Sequence, residues 1–186
     1  SVDYDSVTQR QRTIMYRISN DLLYWKSLDE NVLKQINVNN INEFAKDCKN
    51  MDDKTMYRYI LDNLSYRLKE LSISSANKKD YLKQYADMAF KDKKQLLGNR
   101  FSEYCRLCTL KALDDGWIEE VDYLQQLQAA ISGRSTAQRN LLYEYQREAR
   151  LSFRDMEKSI KKAMIRNILL GEVSFGKDNE MIILYP

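Results

Sequence analysis

Apolar residues three and four positions apart recur along most of this chain, the rhythm expected of helices that each bury one face. It is clearest between residues 110 and 168. On a leading arm Leu110, Leu113, Trp117, Val121, Leu124, Leu127 and Ile131 form one stripe, and on a return arm Leu142, Tyr145, Ala149, Phe153, Met156, Ile160, Ala163 and Ile168 form another. Between them stands a polar tip, Ser132-Gly133-Arg134-Ser135-Thr136-Ala137-Gln138-Arg139-Asn140. Two facing stripes joined by a short polar turn predict an antiparallel helical hairpin, with Gly133 where the first helix must stop. Upstream, Val7, Ile14, Ile18, Leu22, Trp25, Leu28, Val32 and Ile36 predict one long helix from near Ser6, about 45 Å in length at the helical rise. The polar run Asn37-Val38-Asn39-Asn40 is expected to end it.

Three shorter amphipathic helices follow, near Ile41 to Lys49, Asp53 to Leu71 and Asn77 to Leu97. Asp52 or Asp53 can cap the middle one, Ser74-Ser75 breaks it from the next, and Gly98-Asn99 turns the chain into the hairpin. Tyr57, Tyr59, Tyr66, Tyr81 and Tyr85 recur at helical spacing and read as a half-buried core face. After Gly171 the pattern changes. Val173-Ser174-Phe175 and Met181-Ile182-Ile183-Leu184, separated by Gly176-Lys177-Asp178-Asn179, predict a small β-hairpin, or one strand that completes a sheet elsewhere. The expectation is an all-α protein with this short terminal β segment, organised as a long helix (1–36), a separate helical section (37–97), a section with the hairpin (98–171, tip 132–140) and a tail (172–186).

Composition sharpens this picture. The only proline is Pro186, so no imide interrupts a helix upstream. Charged residues make up 31% and apolar residues 44%, and no apolar run approaches the roughly 18 residues of a membrane span. With no cleavable signal either, a cytosolic chain is expected. It opens at Ser1 and enters helix pattern at once, as a piece excised from a longer protein would. A net charge of +3 leans slightly towards acidic surfaces without requiring one.

The chemistry of most enzymes is missing. Histidine is absent, and Cys48, Cys105 and Cys108 fall one short of a four-ligand zinc site. Cys105 and Cys108 form a C-x-x-C inside helical pattern, which reads as buried reduced thiols. Neither phosphate-binding glycine loops nor a G-x-S-x-G elbow occurs. Adjacent carboxylates, Asp114-Asp115 and Glu119-Glu120, point about a hundred degrees apart on a helix and read as solvated faces. Catalytic, cofactor-binding and metal-binding residues are therefore not expected in this chain.

Two blocks carry a resemblance. The first is Asp3-Tyr4-Asp5-Ser6-Val7-Thr8-Gln9-Arg10-Gln11-Arg12 with Tyr16, and the second runs from Asp114 and Trp117 through Glu119, Leu127, Ile131, Arg134, Ala137-Gln138 and Glu144-Tyr145 to Arg147-Glu148. The first is similar to D-Y-D-D-V-x-x-x-Q-R, the second to D-x-x-W-x-E-H-L, R-G-Y-A-Q-K-D-P and E-Y-K-R-E of SecA, the ATP-driven motor of bacterial protein export. The resemblance implies that residues 1–36 are the central scaffold helix, 37–97 the helical wing, and 98–171 the remaining scaffold with a two-helix finger. It implies contact of Gly133, Arg134, Ser135, Thr136, Ala137, Gln138 and Arg139 with an unfolded preprotein and a SecYEG-type membrane channel. Asp5, Gln11, Arg12 and Trp117 would couple the scaffold to nucleotide-binding domains, which hold ATP and Mg in the parent and lie outside this chain. A peripheral place on the inner face of the cell membrane, with an anionic lipid surface as a further contact, follows from the same resemblance.

The departures matter as well. Glu120 stands where the family has histidine, Ser135 and Thr136 replace the glycine and tyrosine of the tip, and Asn140-Leu141 replaces Asp-Pro. Losing the tyrosine removes a large amphipathic ring that could grip a sliding chain. Together with the lack of a cysteine-rich tail, this favours an accessory SecA dedicated to few exported proteins. Two other classes compete. Arg147, Arg150, Arg154, Lys158, Lys161, Lys162 and Arg166 could form a nucleic-acid stripe, but Glu144, Glu148, Asp155 and Glu157 interleave with them, so nucleic acid is not the expected partner. A plain oligomerisation hairpin is the third reading.

Overall fold

The computed structural model describes residues 2–24, 29–68, 77–134 and 138–186. In order these form α1 (Val2–Tyr24), α2 (Glu30–Asp47), α3 (Asp53–Asn63), α4 (Lys78–Leu97), a 3-10 turn (Gly98–Arg100), α5 (Phe101–Ser132), α6 (Gln138–Leu170), β1 (Glu172–Phe175) and β2 (Met181–Leu184). The protein is predominantly helical with one small antiparallel sheet, as the periodicity predicts. The chain divides into two compact units: Ser1–Lys26 with Leu110–Ile160, and Ser27–Thr109 with Lys161–Pro186.

The helix expected to run unbroken to Ile36 is instead two. Asp29 caps α2, its carboxylate accepting from Asn31 N at 2.9 Å, and the helix then passes straight through Asn37 to Asn40. The expected break fails because both asparagines are buried and Asn40 Nδ2 donates to Lys161 O at 3.2 Å, which offsets the weak helix preference of the amide side chain. Trp25 and Leu28 lie outside the described residues. The buried face of α1 also differs from the predicted stripe: Tyr4, Gln11 and Met15 are buried, whereas Ile14 and Ile18 stay about 40% exposed.

In the first unit α1 packs on the two arms of the hairpin. Tyr4, Leu124, Ile131, Leu141, Tyr145 and Ala149 form its core, with Val7, Leu127 and Leu142 against them. Tyr4 meets Tyr145 edge-on at 4.8 Å. Of the predicted stripes, Leu113, Leu124, Ile131, Tyr145, Ala149, Met156, Ile160 and Ile168 are buried and the others half-buried, with Leu141 buried in place of Leu142.

In the second unit α4 packs against α2 and α3. Leu33, Ile41, Ile60, Leu64, Leu82 and Tyr85 are essentially sealed from solvent. Helix α3 stops at Asn63, short of the expected Leu71: Leu64 N and Ser65 N both donate to Ile60 O, and a Ser65 side-chain turn with Arg67 takes the chain out of the helix. Ser74-Ser75 and Leu71 lie outside the described residues. Asp52, not Asp53, caps α3 through Thr55 N, and Asn77 caps α4 through Lys79 N. At the other end of α4 Gly98 adopts φ +55, a conformation side chains disfavour, and the chain turns into α5. Of the tyrosines, Tyr85 is buried and Tyr59 and Tyr81 half-buried; Tyr57 and Tyr66 face solvent, so the predicted tyrosine face is only partly real.

Cys105 and Cys108 lie buried on α5, and burial pushes both thiols up, Cys108 to about 12, so both stay protonated and unreactive. Helix α6 ends against Tyr104, whose hydroxyl lies 2.9 and 2.8 Å from the carbonyl oxygens of Asn167 and Ile168. Gly171 follows at once; Lys93 Nζ donates to its carbonyl at 2.7 Å. The terminal hairpin pairs Val173 with Ile183 and Phe175 with Met181, closed by Gly176 N donating to Glu180 O and by Asn179 at φ 59. The two β-prone runs pair with each other.

Candidate functional site

The candidate site is the hairpin and the helix that braces it, all within the first unit. Antiparallel pairing of the arms is read from contacts that advance on one helix as they retreat on the other. Gly116 faces Ile160, Glu120 meets Ser152, and Arg134 pairs with Glu144. Gly116 permits the closest approach: a Cβ there would lie 2.6 Å from Ile160 Cγ1. Without it the arms would have to separate or Ile160 change rotamer.

At the tip, α5 ends at Ser132 and Arg134 N donates to Ile131 O at 3.0 Å. Gly133 follows the helix end as predicted, but its φ is not positive and a Cβ would meet nothing nearer than 3.8 Å, so this turn does not use glycine's special freedom. Arg134 is exposed and ion-paired with Glu144, a surface pair worth about 0.2–1 kcal/mol. Ser135, Thr136 and Ala137 lie outside the described residues, and Gln138 and Arg139 are described only as the first turn of α6.

The brace includes Gln11, Arg12 and Trp117, which the resemblance assigns to coupling. Gln11 is buried and its Nε2 donates to Ala149 O at 3.1 Å, fixing α1 to the return arm. Arg12 lies with its guanidinium 6.0 Å from the Trp117 ring, at the far limit of cation–π attraction. Three of the four predicted coupling residues therefore meet in one unit, with Gln11 on the return arm and Arg12 and Trp117 on each other; Asp5 is exposed on the same helix. The Tyr145 hydroxyl and Thr8 Oγ1 lie 3.5 Å apart, a second polar tie.

Glu120 is buried, where adjacent carboxylates on a helix predict a solvated face. It is 3% exposed, accepts from Ser152 Oγ at 2.6 Å, and leaves Oε2 without a partner among the described residues. Burial pushes its carboxyl above the usual range, the Ser152 hydrogen bond opposes that, and the nearby Asp155 charge adds to it. A signal was available: Glu120 falls one turn before Leu124 on the buried stripe. Glu119, Glu148 and Asp155 ring the same groove, about 480 Å³ in volume, with Tyr123, Leu151 and Met156 as its apolar wall. Among the described residues no group of three or more His, Cys, Asp or Glu could hold a metal ion. Ser152 and Glu120 are hydrogen-bonded to each other, and both sit in helix interiors. No described helix is long and apolar enough to cross a membrane.

Fold and site together define a helical scaffold in which a pair of antiparallel helices is braced by a third. The family described as SecA wing and scaffold domain matches residues 1–172, and the chain belongs to it. Similar curated proteins are named Protein translocase subunit SecA 2: that of Streptococcus agalactiae serotype V is 38% identical across 100% of this chain and 24% of its own length, and that of Pediococcus pentosaceus 31% with the same coverage. That of Staphylococcus aureus strain Newman is 29% identical over 99% of this chain and 24% of its own length. The chain thus spans about a quarter of the length of these relatives.

Proposed function

We propose that this chain is the scaffold, wing and finger portion of an accessory SecA-type protein-export motor, and that it transmits and makes contact while other domains hydrolyse ATP. The observation that carries the reading is the brace: α1 holds both hairpin arms through Tyr4 and Gln11, so force applied to α1 reaches the tip without bending a loop. On this reading residues 37–97 are the wing. The tip, Gly133 to Arg139, touches an unfolded preprotein and the mouth of a SecYEG-type channel, and the motor works at the inner face of the membrane. ATP and Mg²⁺ belong to the parent's nucleotide-binding domains, and Asp5, Gln11, Arg12 and Trp117 lie on the path to them. The exposed apolar side chains of the arms, Ile118 and Tyr143, are natural contact points for such partners.

Single cysteines at Thr136 and Arg139 in the full-length parent test this during active export. Crosslinks to channel or cargo that depend on ATP are expected; export that proceeds normally while neither position labels either partner would overturn the assignment of the tip.

A further inference from the structure

The second unit contains a cleft that the export reading leaves unused. We propose that the cleft between α2, α3 and the C-terminal part of α6 is a docking site for an acidic, extended polypeptide segment that carries an aromatic or branched apolar residue. The cleft measures about 990 Å³, the size of sites that enclose a ligand of several residues' bulk. Phe44 and Tyr59, with ring centroids 4.3 Å apart, form an apolar wall with Ile165. Burial pushes the Tyr59 hydroxyl up to about 12, so the wall is uncharged at any physiological pH.

Asn37 lines the same cleft, 2% exposed, with Oδ1 lacking any hydrogen-bond partner among the described residues. Asn40, one turn further along the helix, is matched to Lys161 O, so the fold satisfies one amide and leaves the other open. An unmatched buried acceptor calls for an N–H donor. Around the cleft stand Lys54, Arg58 and Lys162 against a single carboxylate, Asp62, which is already paired with Arg58 at 3.0 Å. Lys162 remains for a partner, and Lys54, which also faces Asp52, adds to the positive rim.

These features select a peptide. A phosphate offers only acceptors and would set oxygen against Asn37 Oδ1, whereas an extended chain presents backbone N–H groups at every second residue on one side. Its apolar side chain would pack on Phe44 and Tyr59, and flanking carboxylates would reach Lys54 and Lys162. The inference goes beyond the export reading and does not depend on the hairpin tip.

Fluorescence anisotropy tests it with the 186-residue chain and a fluorescein-labelled octapeptide of aspartate and glutamate around a central Phe-Leu. Saturable binding is expected, weakening by about tenfold when salt rises from about 50 to about 300 mM. The double variant Lys54→Ala, Lys162→Ala, confined to exposed side chains, should weaken it at least about fivefold with an unchanged circular dichroism spectrum. Asn37→Leu should weaken binding while leaving the thermal midpoint level or raised, a combination that a purely structural asparagine would not give. The proposal is overturned by absence of saturation, by equal affinity for the same peptide with lysine in place of its acids, by tighter binding of a labelled single-stranded oligonucleotide, or by indifference to the lysine variant.

Discussion

Glu120 shows how much one side chain can hold. Its pKa in the folded protein lies above the ordinary 4.5, because burial penalises the charged form, so the native state keeps a proton that the unfolded chain has already lost. Stability is therefore greatest below about pH 4.5 as far as this group is concerned, and falls as pH rises through the native pKa. Glu120→Gln keeps an acceptor for Ser152 and removes the buried charge; we expect its thermal midpoint to exceed that of the parent by about 2–4 °C at neutral pH and the gain to vanish at pH 4, measured by calorimetry. The Ser152 hydroxyl, within reach of both Glu120 and Ala149 O, has one hydrogen for two acceptors, and a protonated Glu120 can donate in its turn and release that hydrogen to the carbonyl. Gly171 acts by absence: a Cβ there would lie 2.4 Å from Asn167 O and 2.5 Å from the Tyr104 hydroxyl. Gly171→Ala should cost about 1–3 kcal/mol in urea unfolding. In the sequence Gly171 reads only as a helix stop, and Glu119-Glu120 reads as a solvated pair unless the place of Glu120 one turn before Leu124 is weighed.

At the scale of elements, the hairpin was legible and the first helices were not. The stripes of α5 and α6 survive because each arm packs its apolar face on a neighbour of the same pattern. The face of α1 was misread because Gln11 and Tyr4, polar or amphipathic in composition, are buried through hydrogen bonding and edge-on ring packing, while Ile14 and Ile18 are left out. The α2 start was missed for a related reason: Asp29 was masked by the apolar period running across it, though an aspartate capping an acidic first turn at Glu30 is a recognisable start signal. Asp29→Ala should destabilise α2 by about 0.5–2 kcal/mol and speed amide exchange at Asn31 through Leu33. Unchanged exchange there would show that packing alone holds the helix start.

At the scale of the whole molecule, both compact units are assembled from segments distant in sequence. Thr8 approaches Tyr145 across 137 positions, and Asn167 reaches Cys108 O across 59. A chain truncated after Thr109 would lose Ile165, Ile168 and Leu169 from the second unit and every hairpin residue of the first. We expect it to melt without a cooperative transition and to expose apolar surface to a dye such as ANS. Sequence periodicity gives the helices but is silent about such pairings, because a stripe specifies that a face is buried and not what buries it. The discontinuity also has a temporal side. A ribosome adding about 5–20 residues per second needs on the order of 10 s to travel from Thr8 to Tyr145, and throughout that interval Tyr4 is without the Tyr145 ring that packs on it. Until the return arm is made, α1 lacks the partner that it later braces.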